Sequence, residues 1–486
     1  MSQDQHTLQR GLKNRHVQLI ALGGAIGTGL FLGSASTIKM AGPAVILSYA
    51  IGGFIAFLIM RQLGEMMAQE PVAGSFSNLA HKYWGDFPGM LSGWNYWILY
   101  VLVGMSELTA VGVYVKFWFP SIENWQTITI FFLLINAINL AAVKVFGELE
   151  FWFASIKVVA ILGMIVLGGY VLAIAPAGST SNISNLWAHG GFFAEGGYGV
   201  FISLAVVMFS FGGLELVGIA AAETADPQKT IPRAVNQVIY RILIFYVGAL
   251  VVLLALYPWN QFGNVAADAP WAEAMAASPF VQIFNHIGIP AAAHVLNLVI
   301  LTAALSVYNS GVYCNSRMLY GLALQGNAPR VFAKVNARGV PIMSLGVSAA
   351  ATLFCVGLNY LMPKDALGLL MSMVVAALVI NWAMISFTHL RFRRAKRQTG
   401  EKLVFKAFWF PWADYLCLVF MGLILLILCV IGMGAAVLLA PLWVFMVAVG
   451  YCGKKIREHD RQLQALQDSN AALQAEIASL REGKNG

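Results

Sequence analysis

The chain has 486 residues, of which 59% are hydrophobic and 11% are charged, with a formal net charge of +8. Soluble globular domains carry about 25% charged residues, so this composition excludes an ordinary soluble protein and indicates lipid as the solvent. The five cysteines have neither metal-ligand nor CxxC spacing, so we expect packing rather than disulfides or a metal centre. They are Cys314, Cys355, Cys417, Cys429 and Cys452.

Apolar stretches of roughly 20 residues recur along the chain and predict about twelve transmembrane spans. Each span must be helical, because backbone amides cannot remain unpaired in hydrocarbon. In chain order, spans one to twelve are predicted at 17–38, 43–61, 90–118, 126–146, 152–175, 198–222, 238–257, 285–310, 341–361, 366–389, 412–432 and 435–452. No signal-peptide cleavage site is evident. We therefore expect an all-α polytopic membrane protein with an N-terminal tail (1–16), a transmembrane domain (17–453) and a C-terminal tail (454–486).

Lysine and arginine are distributed unevenly between the two sides of these spans. If the N-terminus is inside, the inner side holds Arg10, Lys13, Arg15, Arg61, Lys82, Lys229, Arg233, Arg317, Arg330, Lys334, Arg338, Arg391, Arg393, Arg394, Lys396 and Arg397. The outer side holds only Lys39, Lys116 and Lys364. Basic residues collect in cytoplasmic loops, so we expect both termini in the cytoplasm. The net positive charge then reflects topology and gives no reason to expect a nucleic-acid partner.

Two spans carry glycine clusters, at 23–33 in span one and at 209–218 in span six. Glycine weakens a helix interior, and interruptions at equivalent places in two halves are the best sequence indication of an inverted-repeat transporter. The unwound segments would expose N–H groups and positive helix ends that can hold a carboxylate. The alternative is close helix packing through small-xxx-small spacing. The agreement of the two clusters with the repeat favours a binding site.

Three ionisable residues lie deep in spans: Glu107 in span three, Lys157 in span five and Glu215 in span six. Each costs roughly 2.5–3.5 kcal/mol on insertion scales. Lys157 either extends to the inner surface or is a buried amine that gains and loses a proton. Such a cation would bind carbonyl oxygens freed by the unwound first span. The two glutamates are expected to be structural partners or gate residues.

Span three is also rich in aromatic residues, and Tyr100 lies seven residues before Glu107. Seven residues make two helical turns, so both side chains fall on nearly one helix face. A ring with a polar tip on that face suits an aromatic ligand. The spacing is equally compatible with core packing alone.

Several segments together resemble the bacterial amino acid permeases of the amino acid–polyamine–organocation superfamily. They are 23–33, 61–66, 70–76, 209–218 and 235–242, and the similarity runs from about residue 8 to about residue 452. Segments 93–97 and 308–319 look most similar to the aromatic-amino-acid and phenylalanine permeases. The resemblance implies a five-plus-five inverted repeat with discontinuous spans one and six, two further helices, and proton symport of an L-amino acid.

The resemblance also implies roles for individual residues. In span one, the backbone amides of Ile26, Gly27, Thr28 and Gly29 would bind the substrate carboxylate. In span six, carbonyls near Phe209 and the break formed by Ser210, Phe211, Gly212 and Gly213 would receive the amino group. Phe209 would swing over the substrate and Glu215 would act as a gate. Lys157 would occupy the place that a sodium ion takes in other relatives.

The C-terminal tail departs from this pattern and carries a heptad repeat. Ile456, Leu463, Asn470 and Ile477 fall at one core position, and Leu466, Leu473 and Leu480 fall at the other. Branched residues at a, leucine at d and one asparagine at a favour a parallel two-stranded coiled coil. The alternatives are a different partner protein and a solvated helix without a partner.

The sequence as a whole favours a proton-coupled importer of Phe, Tyr and Trp in the bacterial inner membrane. The alternatives are a related permease for proline, a small neutral amino acid or GABA, and a membrane sensor that signals through the tail. We expect no cofactor and no metal, since the proton gradient would drive transport. An enzyme is not expected, because no nucleophile–base set or nucleotide-binding motif is recognisable.

Overall fold

The computed structural model describes residues 26–72, 74–140, 143–176, 179–221, 224, 226–262, 278–281, 290–362 and 366–482. Within these ranges the regular elements are all helical. Nine helices there are long and apolar enough to cross a membrane. The first of the nine covers residues 33–69 and combines parts of spans one and two, which Gly42 separates with a φ of +59°.

All twelve predicted spans have helical counterparts. In chain order these are Thr28–Phe31 with Gly33–Ala41, Val45–Gln69, Asp86–Lys116, Asn124–Asn139, Val143–Ile174, Gly196–Phe209 with Leu216–Ala220, Pro227–Arg241 with Ile242–Gly248 and Ala249–Leu256, Pro290–Leu324, Ile342–Leu361, Ala366–Thr399, Trp412–Val430 and Gly434–Glu482. Several helices extend well beyond the predicted spans, because their polar ends stay helical past the apolar stretch. The prediction of an all-α polytopic fold is confirmed.

Short helices add to these spans. Ser75–Trp84 lies between spans two and three and contacts both span three and span ten. It is amphipathic and too polar for the apolar pattern to reveal, so the sequence placed it in an inner loop. Asn185–Ala188 lies in the loop before span six.

Span six is interrupted as predicted. Its first helix ends at Phe209 and its second begins at Leu216, with tight turns between them that include Gly213 at a φ of +97°. Span one begins its first described helical turn at Thr28, after an extended Gly27, and its described helix is interrupted at Leu32. The rest of the first glycine cluster, Gly23 and Gly24 included, lies outside the described residues.

The last helix runs without interruption from Gly434 to Glu482, so span twelve continues directly into the C-terminal tail. The apolar heptad residues Ile456, Leu463, Leu466 and Leu473 are exposed in the single chain. Asn470 is also exposed, while the side chains of Ile477 and Leu480 lie outside the described part. An exposed apolar row on a continuous helix is compatible with a coiled coil, which stays a prediction.

Candidate functional site

The two interrupted spans meet at Gly29 and Ser210. A Cβ atom on Gly29 would lie 2.6 Å from the Cα and 2.9 Å from the backbone nitrogen of Ser210. Only glycine permits this approach, because any side chain would collide with backbone rather than with a movable group. The first described helix of span one begins at Thr28, and the first N–H groups of a helix have no partner within it. The Thr28 amide donates to Glu107, and the close approach of Gly29 to Ser210 places this turn beside the break of span six.

A small cavity lies at this meeting point. It is lined by Gly27, Gly29, Leu99, Tyr100, Val103, Glu107, Phe209, Gly212, Gly213, Glu215, Val307 and Val374. Its volume of ≈ 20 Å³ is close to that needed for one water molecule. The structure is therefore closed around the cavity, and a larger molecule enters only after lining side chains move.

Glu215 joins three spans at one wall of the cavity. Its Oε1 accepts hydrogen bonds from the Tyr100 hydroxyl and from the Gly213 amide, both at 3.3 Å. Its Oε2 accepts a hydrogen bond from Trp382 Nε1 of span ten at 3.5 Å. The carboxyl group is completely buried, so these donors replace its hydration. Moving span six away from spans three and ten would break the hydrogen bonds from Tyr100 and Trp382.

Glu107 forms the other polar wall, with its Oε1 accepting a hydrogen bond from the Thr28 hydroxyl at 3.0 Å. Lys157 is completely buried, so its side chain does not extend to the membrane surface and that alternative is wrong. Its amine interacts electrostatically with the carboxylates of Glu150 and Glu107. Span five thereby carries a buried amine that interacts electrostatically with the glutamate that hydrogen-bonds to span one.

The structure separates the predicted site residues into two groups. Those around the cavity are Gly27, Gly29, Tyr100, Glu107, Phe209, Gly212, Gly213 and Glu215. Those that are buried against neighbouring elements instead are Ile26, Thr28, Lys157, Ser210 and Phe211. Phe211, for example, packs against Tyr49 and Tyr246, with ring centroids 6.0 and 5.0 Å apart.

Sequence reasoning missed Glu150, which is completely buried and accepts a hydrogen bond from Ser306 at 2.6 Å. The sequence does contain an indication of Glu150, because Glu150 lies seven residues before Lys157. Seven residues are two helical turns, which places both side chains on one helix face. The predicted start of span five at residue 152 left Glu150 outside the membrane. The longer helix Val143–Ile174 places both residues inside the span.

A second missed group supports the break of span six. Arg241 Nη2 donates to the Tyr246 hydroxyl at 3.1 Å, and that hydroxyl donates to the backbone oxygen of Ser210 at 2.8 Å. The hydroxyls of Tyr49 and Ser210 are 3.1 Å apart. Spans two and seven thus satisfy polar groups that the helix interruption leaves available, which only tertiary contacts could reveal.

Known proteins resemble this chain over almost its whole length. Residues 16–465 match the family model described as amino acid permease. The aromatic amino acid transport protein AroP of Salmonella typhimurium strain LT2 is 59% identical over 458 residues, which is 94% of this chain and 98% of that protein. AroP of Escherichia coli strain K12 is 59% identical over 449 residues, which is 92% of this chain and 96% of that protein. The amino acid permease YtnA of Bacillus subtilis strain 168 is 41% identical over 474 residues, which is 97% of this chain and all of that protein. This chain is therefore a multi-pass membrane protein that belongs to the amino acid permease family.

Proposed function

We propose that this protein imports aromatic L-amino acids together with protons across the bacterial inner membrane. The observation that carries the proposal is the contact between Gly29 and Ser210, which brings the first turn of span one against the break of span six. Helix starts favour carboxylates, and the carbonyl oxygens of a broken helix suit an ammonium group. The names of the relatives from Salmonella and Escherichia coli support an aromatic substrate.

In the proposed mechanism, the substrate carboxylate binds the amides of Ile26, Gly27, Thr28 and Gly29. Its ammonium group binds carbonyls between Phe209 and Gly213, and its ring displaces Phe209 beside Tyr100. The cavity of ≈ 20 Å³ supports a requirement for such displacement, because an aromatic side chain does not fit without it. Glu215 then acts as a gate, since two of its donors, Tyr100 and Trp382, come from spans three and ten, which must separate from span six for access.

Lys157 is the proposed proton-coupling group, with Glu107 transmitting its charge state to span one. A charged amine favours ionised Glu107, and the Thr28 hydroxyl then donates to that carboxylate. Loss of the proton from Lys157 removes this electrostatic support and shifts the population between gating states. The proton gradient supplies the driving force, and no cofactor or enzymatic step is part of the proposal.

Uptake of labelled phenylalanine into proteoliposomes, with each of the twenty amino acids as competitor, tests the proposal. We expect accumulation that depends on an inwardly directed proton gradient, with strong competition by Tyr and Trp. Competition mainly by proline, small neutral amino acids or GABA would assign a different substrate class. Binding without accumulation would identify a sensor instead.

A further inference from the structure

A second group of buried ionisable residues lies at the predicted cytoplasmic end of the spans. His389 of span ten is completely buried between two carboxylates. Its Nδ1 is 2.6 Å from Asp414 Oδ1 of span eleven, and its Nε2 is 3.4 Å from Glu65 Oε1 of span two. The imidazole hydrogen-bonds to span eleven through Nδ1, while Nε2 lies within ion-pair distance of span two and makes no hydrogen bond among the described residues. None of these residues lines the cavity.

The contacts of Glu65 indicate that its carboxyl group is ionised. Oε2 accepts hydrogen bonds from Arg393 Nη2 at 2.8 Å and from the Ala407 amide at 2.5 Å, while Arg393 Nε pairs with Oε1. A carboxylate satisfies these three donors in a dry site, whereas a carboxylic acid would place its own proton against one of them. Glu65 thus presents oxygen lone pairs to His389.

Asp414 lies in the first turn of span eleven, where the helix dipole favours negative charge. An ionised Asp414 accepts the proton on Nδ1. A neutral imidazole has only one N–H, so its Nε2 lone pair would then face the carboxylate of Glu65 at 3.4 Å. Two protonated ring nitrogens remove this repulsion, so the geometry fits an imidazolium ion.

Other charged or titratable groups lie near His389 on the three spans that pack together there. Arg393 lies one turn along the same helix and pairs with Glu65. Cys417 of span eleven is the nearby thiol, in electrostatic contact with Asp414. Arg61 of span two stacks between Phe405 and Phe408 at 3.9 and 4.0 Å, and donates to Asn236 at 2.6 Å and to a backbone oxygen. Its hydrogen-bonding N–H groups are thereby directed away from His389.

We propose that His389 is a proton-binding site, separate from Lys157, that fastens span two to spans ten and eleven on the cytoplasmic side. One proton from cytoplasmic water binds Nε2 and converts imidazole into imidazolium, which bridges Glu65 and Asp414. Release of this proton leaves the Nε2 lone pair facing the carboxylate of Glu65 and weakens the connection between span two and spans ten and eleven. Because span two packs against both span six and span seven, a weaker connection favours opening towards the cytoplasm. The inference rests on the proposed transport function and orientation.

Proteoliposome uptake with the external pH fixed and the lumen buffered between about pH 6 and about pH 8 tests the site, over the range in which histidine titrates. The variants are His389→Asn, which keeps a donor near Asp414 but lacks Nε2, and the matched control His294→Asn at an exposed position near the opposite end. Because an alkaline lumen also increases the driving proton gradient in every variant, we expect the initial rates of the wild type and of the control to rise with lumen pH about fivefold more than that of His389→Asn, the lower end of typical coupling between sites. The rate of His389→Asn should change much less. An unchanged response in His389→Asn would overturn the proposal.

Nitrogen-15 NMR of histidine-labelled wild-type protein reads the protonation state directly, with His389→Asn spectra for assignment. Two protonated nitrogens at neutral pH are expected, with loss of one on alkalinisation. A neutral imidazole throughout would overturn the proton site, even if His389→Asn does not fold. Wild-type protein that fails to take up any aromatic amino acid would instead overturn the proposed function, and the NMR result would stand independently.

Discussion

The Thr28 hydroxyl donates to Oε1 of Glu107 over 3.0 Å, which joins the first described turn of span one to the middle of span three. Lys157 of span five interacts with the same carboxylate and is completely buried. Glu107 thus interacts with both the buried amine of Lys157 and the interrupted helix of span one. In the proposed mechanism, this connection is the route by which one proton alters the proposed substrate site.

Replacing Lys157 by Gln tests that route. We expect phenylalanine to equilibrate across the membrane without accumulating, and the pH dependence of uptake to flatten, because the amide cannot take up a proton. The measurement is the accumulation ratio in proteoliposomes with an imposed proton gradient. Lys229→Gln is the control, since that side chain is 78% exposed. Accumulation by Lys157→Gln with an unchanged pH profile would show that the coupling assignment is wrong.

Replacing Gly29 by Ala should strongly reduce transport. The added methyl group would lie 2.6 Å from the Cα of Ser210, so the two breaks must separate. Overpacking of this kind costs about 1–3 kcal/mol, and we expect the initial rate to fall about tenfold or more. Gly33→Ala is the matched control, because its nearest contact would be a flexible Met371 methyl at 3.6 Å. Equal rates for both variants would contradict the close approach.

Replacing Tyr100 by Phe removes the hydroxyl that donates to Glu215 at 3.3 Å. A hydrogen bond is typically worth about 1 kcal/mol, so we expect the KM for phenylalanine to rise by about fivefold. Tyr114→Phe in the same span is the control, because its buried hydroxyl has no hydrogen-bond partner among the described residues. The outcome that contradicts the assignment is an equal effect of both substitutions.

Glu70, just beyond span two, is part of an ion-pair network with Lys82 and Lys396, each at 2.7 Å. Burial acts to raise the pKa of Glu70, but hydrogen bonds from Lys396, Lys82 and Tyr83 outweigh it and lower the pKa from 4.5 to about 2. A carboxyl with a lowered pKa stabilises the folded state above its unfolded pKa, and this contribution disappears as pH falls towards the folded value.

Thermal unfolding in detergent measures that contribution. The unfolding midpoint temperature of the wild type should decrease as the pH is lowered from about 4.5 to about 3. Glu70→Gln should lack this part of the decrease. At higher pH the substitution should lower the free energy of unfolding by only about 1 kcal/mol, because the network is partly exposed to solvent. Asp226→Asn, at a more exposed pair, is the control. A parallel pH dependence in wild type and Glu70→Gln would exclude the role of this carboxylate.

The heptad repeat of the tail predicts a parallel dimer, which Asn470→Cys tests in a background without the five native cysteines. We expect disulfide-linked dimers in membranes, since a-position residues face each other in such a coiled coil. Ala472→Cys lies at an outer position of the same heptad and should cross-link much less. Similar cross-linking at both positions would indicate random collision, and no dimer at either would argue against self-association.

The sequence by itself determined the membrane fold, because apolar length, basic-residue bias and glycine clusters are local properties of the chain. It also indicated that span six is interrupted and that Tyr100 and Glu107 share a helix face. Only the tertiary structure decided that Lys157 is buried, that Glu150 joins it, and that His389 lies between Glu65 and Asp414. These relationships connect residues that are far apart in the chain, and burial and pairing arise from packing between helices, which periodicity within one helix does not encode.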